Sequence, residues 1–197
     1  AYKSGSIAIS SGTSMASPAI AGISVLVRQY LKSTTNLSGR ELAAAVDKLM
    51  MSSASPVTDA DSGLPFSPRV QGTGLVDAGK AVSVGAYINV AGTDKSKFEL
   101  GDDRARTGCY TMTFDVVNIT NETKVYNLSV SALTESAVCG RVNPDHTYEY
   151  LMEQFEYELE SNIDAPETVT VAAGSSVSVT VTVTLSARDI KYIEKYF

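Results

Sequence analysis

The sequence predicts an α+β chain in two parts, a mostly helical first part over residues 1–86 and an all-β sandwich over residues 87–197. Three observations carry this expectation. Residues 13–31 form one stretch rich in Ala, Ile, Val and Leu, with small residues at Ala16, Ala19, Ala21 and Gly22, the composition of a helix that packs closely and is buried. Residues 177–185 alternate Val177, Val179, Val181, Val183 and Leu185 with Ser178, Thr180, Thr182 and Thr184, a strict period of two that gives a strand one apolar and one polar face. The charge changes between the parts as well. Residues 1–85 carry 7 basic and 5 acidic side chains, whereas residues 86–197 carry 9 and 17, a net +2 against −8.

In chain order, Ser6–Ser10 reads as a short strand and Thr13–Leu31 as the first helix. Ser38 followed by Glu41 fits a capping box opening a second helix, along which Leu42, Ala45, Val46 and Leu49 recur at helical spacing until Met50 and Met51. The loop Ser52–Pro65 contains Asp59, Asp61 and Gly63, a faint likeness to a calcium loop without its remaining ligands, so no metal is expected there. Arg69–Val76 predicts a hairpin across Gly72 and Gly74, followed by a short helix from Asp77. Beyond Tyr87 strands are expected at Tyr110–Val116, Tyr126–Val130, Thr168–Ala172 and Val177–Leu185, the last two joined by a hairpin through Ala173-Gly174-Ser175. Short strands separated by polar turns over about 110 residues suggest two packed sheets. Asp189–Phe197 reads as a helix-rich edge, which leaves open whether a further strand follows.

Composition excludes several function classes. No apolar run approaches the roughly 18 residues of a membrane span, so no spanning helix is predicted. An acidic second half without Lys/Arg stripes argues against a nucleic-acid partner. Glu153, Glu156, Glu158 and Glu160 read as a solvated acidic face, and Tyr148, Tyr150, Phe155 and Tyr157 beside them read as core or, alternatively, as a contact patch. Cys109 and Cys139 have no zinc-type spacing, and a disulfide between them is left open. Strand alternation sets Cys109 opposite the face shared by Tyr110, Met112, Phe114 and Val116. Asn36, Asn118, Asn121 and Asn127 begin N-x-Ser/Thr sequons for which no glycosylation is expected. Ala1 bears no initiating Met, basic n-region or signal h-region, so the sequence reads as part of a longer or trimmed protein.

The stretch that carries chemistry is Ser11-Gly12-Thr13-Ser14-Met15-Ala16-Ser17-Pro18. A serine becomes a useful nucleophile when a base takes its proton and when backbone N–H groups at a helix N-terminus face the developing oxyanion. Gly12 permits a tight turn into the helix, Ser14 stands at its positive end, and Pro18 is tolerable only because it is expected within the first turn, where its missing N–H is not needed. Gly12-Thr13-Ser14-Met15-Ala16-x-Pro18 resembles the serine motif of the subtilase family of serine proteases. Six fixed positions would match by chance with a probability on the order of 10⁻⁷ per start site. Ala19-Ile20 stand where that family usually has His-Val.

Residues 38–50 and Pro68–Val82 resemble the closing elements of a subtilase catalytic domain. Val116-Val117-Asn118, Tyr126–Leu133 and Val171–Ser176 resemble the first fibronectin type III-like domain of cell-envelope subtilases of the lactocepin and complement-peptidase kind. The resemblance implies a C-terminal fragment of a subtilisin-like α/β domain followed by a fibronectin type III-like sandwich, from a secreted or cell-envelope endopeptidase. It implies Ser14 as nucleophile, no cofactor and no metal, and a protein or peptide substrate. It also implies that the triad Asp and His and an oxyanion Asn lie upstream, so this fragment would be inactive until joined to that upstream part. The sole histidine, His146, follows Asn143-Pro144-Asp145 and reads as a turn residue. A helix cut from its sheet would expose apolar surface, which predicts an oligomer or altered packing of residues 1–85. The alternative reading is a non-catalytic protein-binding or spacer module at the cell surface.

Overall fold

The computed structural model describes residues 9–60, 62–93, 95–136, 141–142, 144, 148–149 and 155–196. The expected strand at Ser6–Ser10 falls mostly outside them, and Ile9 and Ser10 are not in a strand.

The helical part is built on α1 (Thr13–Thr34) and α2 (Gly39–Ser53). Val27 and Leu31 of α1 meet Leu42, Ala45, Val46 and Leu49 of α2, the helical spacing read from the sequence, together with Ala81. Ser38 is the N-cap of α2, but its side chain makes no capping hydrogen bond. Gly39, at φ +54°, turns the first peptide out of the geometry that a capping box needs. The hairpin expected at Arg69–Val76 does not form. Ser67 and Pro68 start the short helix α3 (Pro68–Gln71), because the Ser67 hydroxyl accepts the Arg69 N–H and proline suits a first helical turn. Leu75 then bridges to Ser55, and Gln71 clasps the loop by accepting the Val57 N–H at 2.7 Å and donating to Phe66 O at 2.6 Å. In that loop Asp59 accepts the Ser62 N–H at 2.9 Å. The short helix expected from Asp77 is α4 (Ala78–Ser83), capped by the Asp77 carboxylate.

The β part is a two-layer arrangement. Strands β1 (Ala86–Val90), β2 (Cys109–Asn118), β8 (Asn162–Asp164) and β10 (Ser176–Thr184) form an antiparallel sheet in the order β1-β2-β10-β8. Strands β3 (Lys124–Asn127) and β9 (Thr168–Val171) pair separately, as do β4 (Leu133–Ser136) with β7 (Phe155–Glu158) and β5 (Arg141–Val142) with β6 (Tyr148–Glu149). Val116, Val179, Val181 and Val183 of the first sheet meet Val169 and Val171 of β9, and each such fully buried side chain contributes about 2 kcal/mol. The other face of β10 is polar, with Thr182 and Thr180 hydrogen bonded to Thr111 and Thr113. The turn at 173–175 is therefore not a hairpin. It carries the chain from β9 in one sheet to β10 in the other, so that alternating valines of both strands face each other across the core. Cys109 lies on the exposed face as a free thiol, and Cys139 is outside the described residues.

Two buried polar groups fasten this part. Asn118, 1% exposed, donates from Nδ2 to Glu122 O, Val171 O and Ala172 O, and its Oδ1 accepts from the Thr120 N–H and hydroxyl. That amide is consumed by the fold. Asp189, fully buried, sits in the first turn of α5 (Ala187–Tyr196). It accepts the N–H groups of Glu160 and Ser186, each at 2.9 Å, and the Ser161 hydroxyl, while its own N–H donates to Ser186 Oγ at 3.1 Å. Tyr192 of α5 stacks on Tyr157 with ring centroids 4.1 Å apart, which places Tyr157 in a packed pair and not in an open patch.

The two parts share a core. Tyr87 of β1 and Ile119 after β2 pack against the helical cluster, the Ile88 N–H donates to Ser52 Oγ of α2 at 2.8 Å, and the Ile119 N–H donates to Gly85 O. Gly85 is at φ +66°, and a β-carbon there would come 2.4 Å from the Thr120 methyl.

Replacing Asn118 by Ala should lower unfolding free energy by about 3 kcal/mol, since three carbonyls and two Thr120 donors lose their partner; a urea midpoint shift worth under about 1 kcal/mol would contradict the hub. Burial works against the charge of Asp189, but the donors from Ser186, Glu160 and Ser161 outweigh it and hold the carboxyl below its usual range. Its stabilising contribution is therefore complete above the unfolded carboxylate range, near pH 4, and is lost as pH falls through the folded value. Asp189→Asn should cost about 1–3 kcal/mol at pH 7 and flatten the stability loss below pH 4, read by urea titrations from pH 2 to 7.

Candidate active site around Ser14

Gly12 precedes α1 with φ 135° and ψ 172°, a backbone region that is essentially reserved to glycine. The chain enters the helix through this turn, so Thr13 and Ser14 are its first two residues. The carbonyl of Gly12 accepts the N–H of Met15 at 3.0 Å and of Ala16 at 3.1 Å. The N–H groups of Thr13 and Ser14 have no acceptor within the helix, as expected for the first turn. Ser14 is exposed, as is every residue from Ile9 to Gly22. Its hydroxyl and backbone N–H thus stand together at the positive end of a 22-residue helix, open to an incoming group.

Pro18 is not in the first turn. With α1 starting at Thr13, it lies inside the helix, where its missing N–H leaves the Ser14 carbonyl without a four-residue donor. The signal for this was in the sequence, because a Gly-Thr start places proline one turn too deep to be a first-turn residue.

Among the described residues no histidine or carboxylate is hydrogen bonded to Ser14, and no group of His, Cys, Asp and Glu is arranged to hold a metal ion. His146, Tyr150 and Glu153 lie outside the described residues. Glu158 and Glu160 are exposed, and Glu160 pairs with Arg188. The front of α1 is also uncovered. Met15, Ile20, Val25 and Leu26 are 48%, 43%, 63% and 53% exposed, against the burial expected of an apolar helix. The physical reason is that α1 packs into the helical core only from Ile23 onward, through Ile23, Val27, Tyr30 and Leu31. An open groove of about 360 Å³ runs beside Ile20, lined by Met50, Met51 and Val76. Among the described residues no helix is long and apolar enough to cross a membrane.

Residues 98–196, half of the chain, match the Fn3-like domain family. The chain belongs to that family. Ahead of the Fn3-like domain, residues 2–74 match the Subtilase family, a segment that contains Ser14 and all of α1 and α2. Among curated proteins, a C5a peptidase of Streptococcus pyogenes is 39% identical over 93 residues, covering 47% of this chain and 8% of that protein. A PI-type proteinase of Lactococcus lactis subsp. cremoris is 29% identical over 170 residues, covering 79% of this chain and 9% of that protein. A PII-type proteinase of the same organism is similar to the same extent. The chain thus spans under a tenth of the length of these relatives, and it joins the subtilase segment to the Fn3-like domain as a mixed α and β structure.

Gly12→Ala should loosen the first turn of α1, because an L side chain resists φ 135°. Hydrogen exchange at the Met15 and Ala16 amides is expected to quicken about tenfold, while the buried turn at Val27–Leu31 keeps its protection. Unchanged exchange at Met15 would show that the turn does not need glycine.

Proposed function

We propose that Ser14 is the nucleophile of a subtilisin-like serine endopeptidase of the cell envelope or extracellular space, completed by an Asp and a His from the protein upstream of Ala1. In this reading residues 1–86 are the C-terminal part of the peptidase domain and residues 87–197 the Fn3-like sandwich. Ser14 Oγ attacks a peptide carbonyl, the upstream His takes its proton and returns it to the leaving amine, and the upstream Asp orients that His. The Ser14 N–H, unspent in the helix, donates to the oxyanion of the tetrahedral intermediate. Water then releases the acyl group from Ser14. The substrate is a protein or peptide.

The observation that carries the reading is the placement of the serine motif at an exposed helix start, with apolar surface around it that stays exposed among the described residues. That surface fits the upstream part of the same protein, or a second copy when the chain is isolated. Without the base the chain is inert, since losing the triad partners removes most of a factor on the order of 10⁶ in rate.

A fluorophosphonate probe tests this directly. It should label the full-length protein at Ser14 and leave both its Ser14→Ala variant and the isolated chain unlabelled. Absence of labelling in the full-length protein would favour a non-catalytic binding or spacer role, and labelling of the isolated chain would refute the need for upstream partners.

A further inference from the structure

We propose that the open edge of β10, from Ser176 to Thr180, is a docking site for an extended basic segment of another protein, which adds to the first sheet as a further antiparallel strand. β10 pairs with β2 along its whole length, but with β8 only at Thr182, Val183 and Thr184. On the β2 side the Asn118 N–H donates to Ser175 O and the Leu185 N–H to Gly108 O. The odd-numbered residues of β10 therefore spend their backbone groups on β2, and alternation turns those of Ser176, Ser178 and Thr180 to the other side. Among the described residues nothing is hydrogen bonded to them there, and all three residues are exposed.

The ladder stops for a covalent reason. Asp164 stands opposite Thr182, so the same register would set Pro166 opposite Thr180, and proline has no N–H to give. The chain leaves β10 at that point and pairs next as β9 with β3. Proteins usually guard a free edge with lysine, proline or a bulge. Here the edge is an unbroken run of Ser, Val and Thr in regular register with β2. Val177 lies on the inner face by alternation yet is 37% exposed, so a strand laid along this edge finds an apolar side chain to cover.

Charge selects the occupant. No Lys or Arg stands on β1, β2, β8 or β10, and the charged side chains of the sheet are Asp115 and Asp164. Asp115 accepts the Ser178 hydroxyl at 2.6 Å, on the outer face beside the open edge, and Asp164 ends β8 on the line that an added strand would continue. Strands lie about 4.8 Å apart, so an outward Lys or Arg opposite Ser178 or Thr180 extends toward both carboxylates. A second copy of this edge would bring the same aspartates against them, which disfavours self-pairing.

The test uses the full-length protein carrying Ser14→Ala, so that no peptide is cut, and a fluorescein-labelled Lys-Val-Lys-Val-Lys peptide at low salt, read by anisotropy. Its Kd should be at least tenfold lower than that of Glu-Val-Glu-Val-Glu and of the same lysine peptide N-methylated at its lysine amides, which would face β10. Hydrogen exchange at the Ser178 and Thr180 amides should slow about tenfold when the lysine peptide is bound. Ser178→Pro removes an edge donor and no bond to β2, and should weaken binding at least tenfold; if it also lowers the melting temperature, the N-methylated peptide decides alone. No binding, or equal binding of the N-methylated peptide, overturns the strand addition, and equal binding of the glutamate peptide overturns the basic partner. Slow exchange at Ser178 without peptide, lost on dilution, would assign the edge to a second copy and overturn the proposal.

Discussion

One buried amide organises the join between the two halves. Asn118 ends β2, and its side chain spans carbonyls at residues 122, 171 and 172 while accepting from Thr120. A single polar group buried among strands is tolerable only when all its hydrogen-bonding capacity is met, and here both ends of the amide are engaged. The corner it fixes places Ile119 in the helical core, seats the Thr120 methyl against Gly85, and lets the Gly174 N–H donate to Thr120 O at the crossing from β9 to β10. That corner is a point at which the first sheet, the second sheet and the helices meet.

Electrostatics supports the far end of the sandwich in the same manner. Asp189 is a carboxylate in a fully buried position, and burial alone would push it towards the protonated form. Three donors on two segments of chain prevent this, and in doing so tie α5 to the residues just before β8. The Arg188–Glu160 ion pair is exposed and adds little, whereas the buried carboxylate holds the geometry.

Much of this was legible in the sequence, for reasons that are local. The alternating valines of residues 177–185 report one buried face directly, and residues 42–49 report helical period. The motif at Gly12–Pro18 announces a helix start with an exposed serine. What escaped was decided by distant partners. The turn at 173–175 has hairpin composition, yet β9 pairs with β3 and β10 with β2. The segment 69–76 reads as strands around glycines, but Ser67-Pro68 starts a helix and Ser55 supplies the bridging partner. Two capping boxes illustrate the limit. Ser38 and Glu41 have the right spacing and form no side-chain cap. Ser186 and Asp189 have equal spacing and form the reciprocal pair. Gly39 accounts for the first result and the demand of a buried carboxylate for the second.

The shared core has a consequence for how such a chain is inherited. Tyr87 and Ile119 are sandwich residues by position and helix-core residues by contact, and Ser52 on α2 receives the Ile88 N–H from β1. A crossover that exchanged everything after residue 86 for an unrelated β-sandwich would empty two places in the helical core and orphan a hydroxyl. The seam is thus a poor site for shuffling, and Fn3-like units suited to follow this segment are those that bring their own aromatic and aliphatic plugs.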